Sequence, residues 1–330
     1  MITCAIIGAT GLVGSTFLKV LEEKNLPIDE YELFASGKSK GKIVDFMDRE
    51  YLINELTEET QKKHFTYALF SAGSEISKKY IPLFSEYGTT VIDNSSFFRM
   101  DDDVPLIVPE LNMKESYGKS IISNPNCSTI QAVIALKPLD DIYNIKRIVF
   151  STYQAVSGGG IKGINDLIDT SMGKNAKKFP YKIYNNCIPH IDDLDVDGNT
   201  KEELKMINET KKILGKPNLK ITATCVRVPV FNSHAESINI EFEENFNMED
   251  IKQILSRSPG IAYLDDISRN IYPINTFSTG KDDVFIGRVR RDTSIENGIN
   301  MWVVADNIRK GAATNAVQIL EELIKQYSNI

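Results

Sequence analysis

Short apolar runs alternate with amphipathic stretches along the first third of the chain. ITCAII ends in GATGLVG, residues 8–14, and STFLKVLEE follows with helical spacing, a pattern that predicts strand, glycine-rich turn and helix. YELFAS (31–36) and YALFSA (67–72) read as further buried strands, the second followed by a helix-like SEISKKYIPLFSEYG. TTVIDN precedes SSFFRMDDDVP, read as one more strand and helical stretch, with Asp101 to Asp103 solvated. This alternation implies a doubly wound parallel sheet, which binds ligands at the carboxyl ends of its strands. Further on, SIIS leads through SNPN to a cysteine, and IQAVIAL follows with helical spacing. IKRIVFSTY and MWVVAD read as strands, and CVRVPVFNSHAESINIEF as two strand-like segments around a loop. GAATNAVQILEELIKQY closes the chain as a helix, with Ala313, Ala316, Ile319, Leu320, Leu323 and Ile324 at helical spacing. There are no internal repeats and no low-complexity segments.

The glycine motif is G-x-x-G-x-x-G. Gly8 permits a tight turn, Gly11 lets the backbone approach a pyrophosphate, and Gly14 allows close packing of helix on strand. A merely structural turn is the alternative. In an NAD-binding protein the second strand usually ends in an acidic residue for the ribose 2′-hydroxyl. Here it ends in Ser36, followed by GKSKGK, and hydroxyls and lysines suit a 2′-phosphate, hence NADP. A solvated lysine loop is the other reading of that stretch.

SNPNCS places Cys127 where a strand turns into a helix, at the carboxyl end of the sheet. Unpaired N–H groups and the dipole at a helix N-terminus favour a thiolate. Thiol and cofactor are therefore expected to share one crevice. Of the other cysteines, Cys4 and Cys225 lie in apolar runs as buried fillers, and Cys187 is open to either role. The spacing of the four cysteines offers no zinc pattern, so no metal is expected. Three histidines are available as proton carriers. His64 reads as a surface residue and His190 as a structural loop residue. His234 follows Arg227 by seven positions, and an arginine inside an apolar strand calls for an anionic partner. With Arg227 beside it, His234 is the candidate for catalysis.

The 330 residues suffice for two domains, and the 42% hydrophobic and 25% charged fractions are those of a globular protein. A net charge of −7 argues against nucleic acid as the main partner. No stretch has the length of a membrane span, and MITCAII runs directly into the glycine motif. Neither a membrane nor a signal peptide is therefore expected, and the location is expected to be cytoplasmic.

Taken in order, GATGLVG, DNSSFFRM, NPNCSTIQ, YQAVSGGG, EELK, RVPVFNSH and DNIRKGAATNAVQI resemble aspartate-β-semialdehyde dehydrogenase, from the first strand to the final helix. The resemblance implies an α/β fold: a Rossmann-type doubly wound dinucleotide-binding domain plus an α/β catalytic and dimerisation domain, glyceraldehyde-phosphate-dehydrogenase-like. Residues 1–126 with about 308–330 would form the NADP-binding domain, and 127–307 the catalytic and dimerisation domain. The implied reaction is NADPH-dependent reduction of aspartyl phosphate to aspartate semialdehyde with release of phosphate, on the route to lysine, threonine and methionine. A homodimer is the implied assembly, with a homotetramer as the larger alternative. By the same resemblance Cys127 is the nucleophile, His234 the acid/base, and Gln154 the group that positions the acyl intermediate. Arg227 would hold the substrate carboxylate, Glu202 its ammonium group, and Arg99, Asn126 and Lys205 the phosphate. Gly8, Thr10, Gly11, Leu12, Val13, Gly14, Ser36 and Lys38 match the nucleotide-binding segments, with Ser157, Gly158, Asn315 and Gln318 towards the nicotinamide. Lys38 departs from the arginine expected in many relatives, keeping the charge but losing bidentate geometry. Residues 170–200 match loosely and receive no catalytic role.

Glu202 and Lys205 stand at i and i+3, so on a helix they share a face; from spacing alone a surface ion pair is the alternative. Three other functions compete. N-acetyl-γ-glutamyl-phosphate reductase shares the chemistry, but its blocked amine would not need a carboxylate such as Glu202. A thiol hydrolase would have no use for GATGLVG. A non-catalytic NADP-binding protein would not need Cys127, Gln154, Arg227 and His234 together.

Overall fold

The first apolar run, β1 (Thr3–Ile7), becomes an interior strand of a parallel sheet. Around it stand β2 (Glu30–Ala35), β5 (Asn54–Glu55), β6 (Tyr67–Phe70), β7 (Thr90–Asp93) and β8 (Ile121–Ser123), in the order β5-β2-β1-β6-β7-β8. Every pairing in this sheet is parallel. A hairpin of β3 (Ile43–Phe46) and β4 (Arg49–Leu52) stands apart. Helices α1 (Leu12–Lys24), α2 (Ser74–Glu86) and the short α3 (Pro109–Asn112) connect these strands. β1 and β6 are buried on both faces, as expected of parallel strands with helices either side.

The structure, a computed structural model, describes residues 1–328 and divides into two units, Met1–Pro125 with the chain from Ala312 onward, and Asn126–Gly311. In the second unit the sheet is mixed: β9 (Ile145–Gln154), β10 (Lys220–Arg227), β11 (His234–Phe242), β12 (Ile261–Tyr263), β13 (Val284–Asp292) and β14 (Gly298–Ala305), ordered β10-β9-β11-β14-β13-β12. α4 (Cys127–Tyr143), α5 (Gly160–Ser171), α6 (Lys201–Leu214), α7 (Met248–Arg257) and the short α8 (Asn275–Ser278) complete it. The final helix, α9 (Thr314–Ser328), belongs to the first unit, where Ala313, Ala316, Ile319, Leu320, Leu323 and Ile324 join the core that also holds Phe17 and Leu21 of α1. Burying six such side chains contributes on the order of 10 kcal/mol before chain entropy is counted.

One expectation needs correction. SSFFRMDDDVP is not helical; residues 95–105 form bends and turns. The buried Asp93 carboxylate accepts the Ser95 N–H at 2.9 Å and its hydroxyl at 2.7 Å, a side-chain turn that competes with helix. Arg99 Nη2 then donates to the Asn94 carbonyl at 3.0 Å. The glycines of YQAVSGGG pass through a short 3-10 turn into α5.

Candidate active site

Asn126 caps the helix that Cys127 opens. Its Oδ1 accepts the N–H groups of Ser128 and Thr129 at 2.9 and 3.3 Å, a cap worth about 1 kcal/mol. Cys127 is the first residue of α4 and only part-buried, so its sulfur stands at the positive end of the helix. Gly311 presses against it: a Cβ at Gly311 would lie 2.9 Å from Cys127 Cβ. A single wide turn, Arg309–Ala313, carries that glycine.

Three strands of the second sheet bring their chemistry to one end. Gln154 ends β9 and Arg227 ends β10, and the two are partners in the parallel register. Ala235 of β11 faces Tyr153, so His234 arrives beside Gln154. The sequence reading put His234 between two strand-like segments; the structure makes it the first residue of β11, fully buried. Ser233 turns the chain there with φ of +67°, an uncommon conformation for a residue with a side chain. Asn307 Oδ1 accepts its N–H at 3.0 Å, and Asn275 Nδ2 donates to its carbonyl at 2.7 Å.

Glu202 collects the polar groups around the thiol. Its Oε1 accepts from Asn126 Nδ2 at 3.0 Å and Gln154 Nε2 at 3.1 Å, and its Oε2 meets Lys205 Nζ at 3.2 Å. It is buried, so the pair with Lys205 is no surface ion pair. Burial pushes the Glu202 carboxyl up, but Lys205 and the two amides outweigh it and hold the group below the usual range. Lys205 is raised on balance: burial lowers it, and Glu202 and Asp192, the latter at 2.9 Å, more than compensate. A capping box places this helix, with Thr200 and Glu203 satisfying each other's N–H groups; Glu203 also accepts the Cys225 N–H at 3.0 Å and ties α6 to β10. About two turns along α6 from Glu202, Glu209 Oε2 accepts the Asn126 N–H at 2.6 Å.

Arg227 is 6% exposed, and Nη1 donates to the Ala155 carbonyl at 2.7 Å. Its Nε has no partner, and no carboxylate pairs with it among the described residues. Burial lowers its pKa, while the charges of Glu202 and Cys127 act in the opposite direction. His234 Nδ1 accepts the Ala155 N–H at 3.0 Å, so the neutral ring carries its proton on Nε2, which has no partner among the described residues. Burial first, and the Arg227 charge second, hold its pKa well below the ordinary value, so the ring is neutral at neutral pH. A Cβ at Gly158 would lie 2.7 Å from Arg227 Nη1 and 3.3 Å from His234 Nε2, so a side chain there would have to displace the guanidinium.

Two residues along β11 from His234, Glu236 is fully buried and pushed well above the carboxylate range by burial. The amide of Gln131, at the start of the second turn of α4, partly offsets that shift, although no hydrogen bond of good geometry joins the two.

The remaining candidates divide between the units. Ser157 Oγ, buried in the second unit, meets the Asn307 side chain at 3.1 to 3.2 Å. In the first unit, Gly8 has φ of +87°, and a Cβ there would lie 2.2 Å from the Ser71 carbonyl oxygen. Thr10, Gly11, Leu12 and Val13 form the turn and open α1, whose cap, Gly11, has no side chain to satisfy the N–H groups; Gly14 packs on the Gly8 carbonyl. Thr10 Oγ1 reaches Ser39 Oγ at 3.3 Å, linking this turn to the exposed Ser36 and Lys38. Arg99 is buried in the same unit. Asn315 donates to the Ile107 carbonyl at 3.0 Å and Asn124 Oδ1 at 2.7 Å, and Gln318 to Glu110 at 3.4 Å. His64 and His190 are exposed, and Cys4 and Cys225 are buried with their thiols pushed far up by burial.

Sequence reasoning missed Asn307, Gly311, Asp192 and Glu209. Asn307 and Gly311 lie inside DNIRKGAATNAVQI, a segment of the resemblance in which only Asn315 and Gln318 received roles; Asp192 and Glu209 carried no local signal. No group of three or more potential metal ligands occurs among the described residues, and no helix among them is long and apolar enough to cross a membrane.

Comparison with known proteins bears on this geometry. Residues 3–118 match the family described as "Semialdehyde dehydrogenase, NAD binding domain", and residues 136–310 match "Semialdehyde dehydrogenase, dimerisation domain". An aspartate-semialdehyde dehydrogenase of Aquifex aeolicus is 53% identical over 332 residues, covering 98% of both chains. The structure of aspartate semialdehyde dehydrogenase II from Vibrio cholerae, complexed with ASA, is similar with a TM-score of 0.93 at 44% identity, over 99% of each chain. Aspartate semialdehyde dehydrogenase with NADP from Candida albicans is similar with a TM-score of 0.76 at 26% identity, over 97% of this chain and 98% of that one. The first unit therefore carries a nicotinamide dinucleotide-binding domain, and the chain belongs to the aspartate-semialdehyde dehydrogenase family of oxidoreductases.

Proposed function

We propose that this enzyme reduces aspartyl phosphate to aspartate semialdehyde with NADPH, through a thioester on Cys127. One observation carries the reading most directly: a buried guanidinium without a carboxylate partner stands at the strand ends that also bring Gln154 and His234 together, and the Cys127 charge acts on it. A buried cation of this kind calls for an anionic ligand, and an arginine fork fits a carboxylate.

A free carboxylate resists reduction, and phosphorylation makes its carbon electrophilic. The Cys127 thiolate attacks that carbon, the C–S bond forms, the C–O bond to phosphate breaks, and phosphate leaves. Gln154 and Asn126, both held on Glu202, orient the acyl group and the departing phosphate. Lys205 and Arg99 supply positive charge for phosphate, Arg227 holds the substrate carboxylate, and Glu202 its ammonium group. The uncapped N–H groups of α1 and the Gly8 turn fit a pyrophosphate, and Ser36 with Lys38 fits a 2′-phosphate, so these residues with Thr10 would hold NADP. Bound NADPH supplies the hydride that reduces the acyl carbon. His234 presents Nε2–H to negative charge on the thiolate and then on the alkoxide, whose collapse breaks the C–S bond and returns the thiolate. The Candida albicans relative with NADP and the Vibrio cholerae relative with ASA support the cofactor and substrate assignments. The match to a dimerisation domain supports a homodimer.

The test is phosphate-dependent formation of NADPH from aspartate semialdehyde and NADP, run beside Cys127→Ala. Turnover that requires phosphate and is lost in the mutant is expected. Oxidation of N-acetylglutamate semialdehyde in its place would overturn the substrate.

A further inference from the structure

The chain between α5 and α6 grips two of the proposed substrate-binding side chains. Ile188 exchanges both backbone hydrogen bonds with Arg227, at 2.9 and 2.8 Å. Asp192 holds Lys205 at 2.9 Å. Phe179 sets its ring over the Arg227 guanidinium, 5.8 Å from the guanidinium carbon to the ring centroid. The ring packs on the small core of Val156, Leu167, Ile183 and Ile188. Gly159 and Gly163 lie against its edge: a Cβ at Gly159 would touch it at 3.4 Å, and one at Gly163 would lie 3.3 Å from it but only 2.2 Å from the Val156 carbonyl oxygen.

One carboxylate places this ring. Asp166 of α5, 2% exposed, accepts the N–H groups of Lys177, Lys178 and Phe179 at 2.7, 3.0 and 3.0 Å. Three successive amides on one carboxylate fix the direction in which the chain leaves, and so where the Phe179 side chain goes. A guanidinium over an aromatic face within about 6 Å is attracted by the ring without spending its N–H groups, which stay available for a planar anion. Arg227 combines these features: Nη1 is committed to Ala155, the guanidinium carbon lies over the Phe179 ring at 5.8 Å, and Nε is unpaired.

We infer that Phe179, set by the Asp166 carboxylate, is a positioning residue that fixes the plane in which Arg227 meets the substrate carboxylate. The inference rests on the carboxylate role proposed above for Arg227. The test uses the full chain as wild type, Phe179→Leu, Phe179→Tyr, Asp166→Asn and Arg227→Lys, with aspartate semialdehyde, phosphate and NADP varied in turn. Phe179→Leu should raise the KM for aspartate semialdehyde about tenfold and leave the KM for phosphate and NADP within about twofold. Phe179→Tyr, which keeps the ring, should stay near wild type. Asp166→Asn should raise the same KM, and the double variant with Phe179→Leu should be no worse than Phe179→Leu alone, because both act through one contact. An unchanged KM for aspartate semialdehyde in Phe179→Leu, or a change in kcat alone, overturns the inference. Arg227→Lys separates the two levels. If it raises that KM while Phe179→Leu does not, only the ring's role is wrong. If it leaves the KM unchanged, the carboxylate assignment fails, and the inference fails with it.

Discussion

Gly311→Ala is the substitution whose consequence the structure sets most tightly. The new methyl carbon would sit 2.9 Å from Cys127 Cβ and 3.3 Å from its Cα. Carbon atoms in contact settle at roughly 3.5–4.0 Å, so one side must yield by about 0.6 Å or more. Cys127 cannot yield freely, because Asn126 fixes the first turn of α4 and is itself held by Glu202 and Glu209. Overpacking of this kind costs about 1–3 kcal/mol of stability. A nucleophile displaced by about 1 Å loses on the order of a hundredfold in rate, equivalent to ~2.7 kcal/mol of barrier. The assay is kcat/KM for aspartate semialdehyde, with thermal unfolding and the alkylation rate of Cys127 measured on the same protein. The expected result is a folded enzyme with slightly lower Tm and kcat/KM down about a hundredfold. A variant within threefold of wild type would show that the contact between the wide turn and Cys127 does not position the thiol.

Two further predictions concern titration. Glu236 is protonated in the folded protein and ionises near its ordinary value in the unfolded chain, so folding binds a proton. Its stabilising effect is complete below pH ~4.5 and falls, by up to about 1.4 kcal/mol per pH unit, as pH rises towards the folded pKa. Glu236→Gln should therefore raise Tm at pH 8 and give no gain at pH 4; an equal shift at both values would contradict a neutral buried acid. His234 has the opposite sign: its folded pKa is depressed, so its neutral ring costs stability only as pH falls below ~6.5. In NMR spectra assigned with His234→Gln, its ring protons should keep the neutral shift well below pH 6.5, and a titration centred near that value would be inconsistent with the Ala155 contact at Nδ1.

What was legible in the sequence was local. GATGLVG and SNPNCS showed their strand–turn–helix order because apolar run, turn residues and helical spacing adjoin each other, and Asn126 caps the helix where the pattern placed its start. Glu202 and Lys205 share a helix face as their spacing required, but their burial depends on Asn126 and Gln154, 76 and 48 residues away from Glu202. Residues 170–200 were opaque for the same reason. Phe179 and Asp192 acquire meaning only through Arg227 and Lys205, brought near by later elements. SSFFRM misled because Asp93 diverts the backbone with a side-chain bond that no periodicity records. Gly311 stayed hidden because KGAA looks like an ordinary first turn, and a widened turn leaves no mark on hydrophobic spacing.

The central claim is a covalent bond between substrate and Cys127. Enzyme incubated with aspartyl phosphate in the absence of reduced cofactor can be digested and weighed peptide by peptide. The account predicts one added aspartyl group on the peptide that carries Cys127, none in Cys127→Ala, and its loss with release of aldehyde once NADPH is supplied. Unmodified Cys127 in an enzyme that turns over, or the group on another residue, would contradict it.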